Sequence, residues 1–304
     1  LPLAVFLAGR YMAHKRQRGC EYLTWLEKTP LEALHQGERE HRSIPLLMEH
    51  SLKQVSDPAR ACLGVTGILA LQPFEAEIMD IALEISADDA NRSLGELVDF
   101  GLLIRPDNRY QITHALAHTY ARAWLTSPDS ALTRLAEYYE DFIREQMQRG
   151  QTRYALLDSQ RDHILAVQSA CNRAGLWEAA RTITWAIEEY LDLQGHGTER
   201  VAVVKAGLEA SRSDEARYDE ASFLNLLGLA YARLGEPRKA IEHYEQALKI
   251  SREIGYRRGE ANTHWNMSLA QDSLGKRSDA VGLAKEALAI YEQIESLYAG
   301  RVRQ

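Results

Sequence analysis

Residues 220–254 read EASFLNLLGLAYARLGEPRKAIEHYEQALKISREI, and residues 260–294 read EANTHWNMSLAQDSLGKRSDAVGLAKEALAIYEQI. Forty positions apart, Glu220/Glu260, Ala221/Ala261, Leu229/Leu269, Ala230/Ala270, Leu234/Leu274, Gly235/Gly275, Ala240/Ala280, Ala247/Ala287, Leu248/Leu288, Ile250/Ile290 and Ile254/Ile294 are identical. Gly195 and Leu208 extend the period one step upstream. Self-similarity at a fixed interval marks stacked supersecondary units that share a continuous core and present an extended surface. Within one unit, Leu224, Leu227 and Tyr231 share a helical face. Gly235 stops that helix, and Pro237 suits the first turn of the next, where its missing N–H costs nothing. Ala240, Tyr244 and Ala247 give the second helix a narrow stripe for close packing. The prediction is a pair of antiparallel helices per unit, the long period adding extra helical residues, Lys249 to Tyr256, at the linker turn.

Working outward, Gly175-Leu176-Trp177-Glu178-Ala179-Ala180 repeats the Gly-to-Ala spacing of Gly235 to Ala240, which places a divergent hairpin over about 160–193. The order Leu227-Gly228, Tyr231, Gly235, Ala240, Tyr244, Ala247-Leu248 resembles the tetratricopeptide repeat. The next copy keeps Gly275, Ala280 and Ala287-Leu288 and departs at Ser268, Gln271 and Ala284. By that resemblance residues 160–304 form an α-α superhelix with a protein-binding inner groove. Asn225, Leu229, Arg233, Trp265, Leu269 and Asp272 are the groove candidates. Trp265 is equivalent to Asn225 on the first helix of its repeat; a groove position and burial against the neighbouring repeat both stay open for it. Trp177, Trp185 and Tyr190 fall at helical spacing and read as core.

Residues 46–127 have another character. Helical stretches at about 46–55, 58–69 and 75–84 precede a helix from Asp88 to Gly101. The strand-like pair Leu102–Arg105 and Tyr110–Thr113 follows, joined by a turn at Pro106-Asp107-Asn108. A helix from Ala115 to Leu125 closes the segment. Helices followed by a hairpin wing make a winged-helix domain, with a helical linker at 128–159. DNA contact is the obvious function for such a module, but its would-be recognition helix, Asn91 to Phe100, sets Glu96 and Asp99 beside Arg92 and lacks a basic footprint. An internal packing role is expected instead.

Composition agrees with a multidomain interaction protein. The 304 residues carry 36 Lys and Arg against 43 Asp and Glu, a net charge of −7, with no general attraction to phosphate backbones or anionic membranes. Cys20, Cys62 and Cys171 are isolated, without disulfide or zinc spacing. Leu1 to Ala8 is apolar but has neither a basic leader nor a small-residue cleavage site. With no initiator Met, the chain is expected to be part of something longer, cytoplasmic and without a membrane span. Nucleophile, base and Gly-rich elbow do not occur in any catalytic order. His14 to Arg18 reads as a solvated helix end. His114 and His118, four apart, have metal-compatible spacing but no third ligand.

The front half resembles the NB-ARC class of STAND signalling ATPases. Leu1-Pro2-Leu3-Ala4 is similar to the end of a Gly-Leu-Pro-Leu motif, Leu97 to Arg105 to the segment before the Met-His-Asp motif, and Thr113-His114-Ala115-Leu116 to that motif itself. The resemblance implies an ARC-type helical segment at 1–45, then the winged helix, then a repeat sensor. It implies that Pro2 packs near an adenine and that His114 touches the β-phosphate of ADP, latching the winged helix over an upstream nucleotide-binding domain. A protein or peptide trigger on the repeats would release the latch, permit exchange of ADP for ATP with Mg, and drive oligomerisation, with outputs in transcription control or antiviral defence. Two departures stand out. Ala115 replaces the motif's Asp, and no Gly-rich loop ending in Lys-Ser/Thr occurs, so this chain holds no cofactor and hydrolyses no ATP by itself. For His114, a nucleotide sensor and a satisfied structural histidine both remain open. The alternative function is a plain tetratricopeptide scaffold for protein–protein interaction, with no nucleotide coupling.

Overall fold

The computed structural model describes Gly9, Met12, Ala13 and residues 52–125, 129–149 and 154–302. Pro2, all but those three residues of the proposed ARC-type segment, and the start of the 46–55 stretch lie outside them. The described chain is mainly helical. It divides into two compact units, one running to Tyr138 and including Ser159–Val167, the other comprising Tyr139–Asp158 and the residues from Gln168 onward.

In the first unit, helix α1 (Asp57–Thr66) starts at Ser56, whose Oγ accepts from the Ala59 N–H. Ser56 N–H and Oγ–H in turn donate to the Glu96 carboxylate at 2.8 and 2.6 Å, tying α1 to α3 (Ala87–Asp99). Between them comes α2 (Glu77–Leu83). Leu63, Met79, Leu94 and Leu97 are fully buried and form the centre of this unit, as their helical spacing requires. Strands β1 (Leu103–Ile104) and β2 (Gln111–Ile112) pair antiparallel, Leu103 opposite Ile112. Asp107 and Asn108 take positive φ (48° and 67°) in the turn between them, a conformation short polar side chains tolerate. The wing was legible in the sequence. Its third member was not: Phe74 exchanges two 2.8 Å backbone bonds with Tyr110. Helix α4 (Ala115–Trp124) follows, and a Cβ at Gly67 would stand 2.6 Å from the Arg122 backbone nitrogen, so only glycine allows this approach.

The segment expected to be a linker contains helix α5 (Asp129–Gln148) and the start of α6 (Tyr154–Ala174), so the divergent hairpin begins earlier than residue 160. In the second unit α7 (Trp177–Leu193), α8 (Gly197–Ser213), α9 (Arg217–Arg233), α10 (Pro237–Glu253), α11 (Arg257–Ser273) and α12 (Arg277–Val302) pack in chain order, each on the next. The helices from α7 to α11 all have 17 residues. The extra length of a forty-residue unit is helix, as expected: Lys249 to Glu253 continue α10, and the turn proper begins only after Glu253.

The structural repeat is in fact half the sequence repeat. Gly175, Gly195, Glu215, Gly235, Gly255 and Gly275, spaced by twenty, all have φ between 52° and 77°. At each, the next residue's N–H donates to a carbonyl five residues back: Leu176 to Cys171, His196 to Leu191, Ala216 to Ser211, Glu236 to Tyr231, Tyr256 to Ser251, and Lys276 to Gln271, at 2.8–3.0 Å. This is the Schellman ending, which satisfies the last helical carbonyls and turns the chain back. Glu215 occupies a position that costs an L-residue about 1–2 kcal/mol and glycine almost nothing.

Packing inside the stack is equally restrictive. Phe223, Leu224, Leu227 and Ala247 are completely buried, and a Cβ on Gly228 would lie 2.2 Å from the Tyr244 ring, itself 1 % exposed. Two outcomes are expected in urea unfolding followed by circular dichroism. Glu215→Gly should stabilise the repeats by about 1 kcal/mol. Gly228→Ala should destabilise them by roughly 1–3 kcal/mol, because the tyrosine has nowhere to move.

Candidate protein-binding groove

The first helices of successive pairs, α7, α9 and α11, lie side by side through their own cross-links. Trp185 Nε1–H donates to Asp219 Oδ1 at 3.2 Å, and the Trp185 and Phe223 rings sit 4.7 Å apart. Asn266 Nδ2 donates to Asn225 Oδ1 at 3.0 Å. The Tyr218 and Tyr256 rings are 4.3 Å apart and the Tyr218 hydroxyl donates to the Tyr256 oxygen at 2.9 Å. Burial pushes the Tyr256 phenol up to about 12, so it stays neutral.

Ion pairs fix the helix backs. Glu220 accepts from Arg212 and Arg217, and forty residues on Glu260 accepts from Arg252 and Arg257. These triads explain the identity of Glu220 and Glu260 in otherwise divergent stretches. Burial alone would raise the Glu260 carboxyl, but the hydrogen bonds and charges of its two arginines outweigh it and hold the group below the usual carboxylate range. His264, 2 % exposed, accepts at Nε2 from Arg252 at 3.1 Å; burial and then the arginine charge keep it neutral, against the pull of Glu286. Further up the stack, Arg200 binds Glu188 and Asp192, and Arg233 reaches the same Asp192 at 2.6 Å. At Glu188 the sign reverses: burial outweighs Arg200 and raises the carboxyl.

Of the residues expected in the groove, Trp265 and Leu269 are 49 % and 53 % exposed, so burial against the next repeat does not occur. Asn225 and Leu229 are half-buried beside them, and Asp272 is exposed. Arg233 is exposed but held by Asp192. Trp185 corrects the sequence reading. Tyr190 is core, as expected, whereas Trp185 is 38 % exposed. It borders two clefts. The smaller, about 290 Å³, lies among Trp185, Tyr218, Ser222, Asn225, Tyr256 and Asn262. The larger, about 540 Å³, lies on its other side. The signal was in the numbering: 185, 225 and 265 are one position in three successive pairs.

The smaller cleft has a defined chemistry. Asn225 Oδ1 is occupied by Asn266, and Asn262 Oδ1 accepts from the Tyr291 hydroxyl, kept protonated by burial. Both amide oxygens are therefore used inside the protein, and neither Nδ2 donor has a partner among the described residues. Two uncharged donors between aromatic walls suit neutral acceptors such as peptide carbonyls, with an apolar side chain alongside.

His114 is exposed at the N-terminus of α4, where its Nδ1 accepts from the Leu116 N–H at 3.1 Å. That bond fixes the tautomer with the proton on Nε2, which has no partner among the described residues. His118 turns the other way: it is 5 % exposed, and Nε2 donates to the Leu69 carbonyl at 2.8 Å. The pair does not converge, and among the described residues no three His, Cys, Asp or Glu side chains gather as a metal site. On the would-be recognition helix Arg92 is paired with Asp89. Burial pushes the Cys62 and Cys171 thiols up to about 12, which leaves them unreactive. Among the described residues no helix is long and apolar enough to cross a membrane.

With this geometry in place, comparison with known proteins adds one family. Residues 219–293, which span α9 to most of α12, match the tetratricopeptide repeat. This part of the chain is thus built of protein-interaction repeats. No curated protein matches the chain. Among solved structures it is similar to a Signal Transduction ATPase with Numerous Domains (STAND) protein with a tetratricopeptide repeat sensor from Pyrococcus horikoshii. The identity is 14 %, the TM-score 0.37, and the match covers 84 % of this chain and 54 % of that one. The chain thus spans about half the length of that protein, and a likeness at this level carries no functional weight.

The triad around Glu260 predicts a pH dependence. A depressed carboxyl stabilises the fold above its unfolded value of about 4.3, and this contribution is lost as pH falls through the lower folded value. Glu260→Gln should therefore cost about 1–2 kcal/mol at pH 7 and progressively less below pH about 4. Urea midpoints measured across that range check it; an unchanged difference between variant and parent at acid pH would contradict the triad.

Proposed function

We propose that this chain is the regulatory and sensing half of a nucleotide-gated signalling protein of the STAND type, with a protein or peptide trigger bound along α7, α9 and α11. The observation that carries the binding role is the exposure of Trp185, Trp265 and Leu269 on the first helices, together with the Asn225 and Asn262 amide donors that line the cleft beside Trp185 and have no partner among the described residues. Large apolar side chains left open next to fixed donors are what interface hot spots are made of.

The gating role rests on the motif resemblance and on His114. Its Nε2–H faces outward from a helix N-terminus, a location that favours an anion such as a diphosphate. In this reading Pro2 and His114 contact the adenine and β-phosphate of ADP held by an upstream nucleotide-binding domain. Release of the latch lets ATP and Mg replace ADP and leads to oligomerisation. Without a phosphate-cradling loop, this chain itself contributes sensing and not catalysis. A cytoplasmic location follows from the same reading.

A second reading, a tetratricopeptide scaffold without nucleotide coupling, is favoured by the extent of the family match, which lies wholly within the repeats. Kinetics separate the two. His114→Ala in the complete protein should speed ADP release by at least about tenfold, the equivalent of one charge-assisted hydrogen bond. Stopped-flow release of a fluorescent ADP measures it; an unchanged off-rate would leave the scaffold.

A further inference from the structure

The larger cleft beside Trp185 differs in charge from the smaller one. It is walled by Arg144 and Met147 of α5, Tyr154 of α6, and Thr182, Trp185 and Glu189 of α7. Arg144 is already neutralised: it binds Glu140 and lies 3.7 Å from Asp141. Glu189 is exposed, lines the cleft one helical turn beyond Trp185, and has no ion pair among the described residues. Among the described residues, the charged lining of the cleft is therefore one guanidinium that already has its own carboxylates and one carboxylate, Glu189, that has no cation.

Trp185 cannot turn away from this cleft. Its indole N–H is fixed on Asp219 and its ring packs on Phe223, so the open side of the ring is presented in one orientation. A rigid indole with a free carboxylate at i+4 is a site for a cation, which gains from the ring quadrupole and from the ion pair together. The cleft volume of about 540 Å³ leaves room for a long side chain. An anion would meet the Glu189 carboxylate, and a neutral side chain would leave it unanswered.

We propose that the cleft between α5 and α7 takes an arginine or lysine side chain of an extended protein segment lying in the groove, its cation stacked on Trp185 and paired with Glu189. This rests on the groove reading above and adds the charge of the partner: a basic segment, with an apolar residue reaching the smaller cleft on the other side of Trp185.

The test uses the full chain and a displayed library of short random peptides with capped ends. Retained peptides should be enriched in Arg and Lys over Asp and Glu. Glu189→Lys, a substitution at an exposed side chain, should reverse that preference. Trp185→Ala should weaken retention of the basic peptides about tenfold, while Trp265→Ala weakens retention without changing the charge preference. Peptides retained in a Trp265-dependent manner but with no basic enrichment, or with enrichment unaltered by Glu189→Lys, would overturn the cation site and leave the groove standing. If the chain retains no peptide at all, both are refuted.

Discussion

The constraint on which the second unit depends is the left-handed residue at the end of each helix. A helix leaves its last carbonyls unpaired, and a positive-φ residue followed by a five-residue back-bond satisfies them while reversing the chain. Repeated every twenty residues, from Gly175 to Gly275, that device gives α7 to α11 the same length and returns every second helix to the same side. Nothing in the individual hydrophobic contacts would enforce such regularity. Packing then selects small residues at the crossings, as with Gly228 under Tyr244, and the stack has a continuous core.

Equal helices have a functional consequence. Positions forty apart become neighbours on adjacent first helices, so a side chain type can be changed at one step of the groove without disturbing the next. Residues 185, 225 and 265 hold Trp, Asn and Trp on that single row. The backs of the same helices are fixed by the Arg–Glu–Arg triads. Pairs of this kind contribute little when fully exposed, but Glu220 and Glu260 are nearly buried and would be costly to leave unpaired. The groove therefore presents rigid donors and rings, which lowers the ordering cost of binding.

Much of this was legible in the sequence, and the failures have physical causes. The forty-residue period and the wing of the first unit followed from spacing alone; Trp265 was singled out, but its exposure, left open in the sequence, came only from the structure. The twenty-residue period was hidden because Glu215 stands where the pattern calls for glycine. Trp185 was read as core because it falls at helical spacing with Trp177 and Tyr190, and that spacing does not distinguish a ring that packs on Phe223 with one side from one that is enclosed. The bridge of Phe74 to Tyr110 depends on a single backbone pair, too short to leave an alternating pattern. For His114, the sequence identified the residue; the fixed tautomer came only from the Leu116 bond.

That α7, α9 and α11 form one ligand-binding surface is tested most directly by the indole N–H signals of the five tryptophans in a nitrogen–proton correlation spectrum, recorded while a basic, Phe-containing capped peptide is added. Binding in the groove should move the Trp185 and Trp265 signals together and leave Trp177 in place. A peptide that binds while both of those signals stay fixed would contradict it.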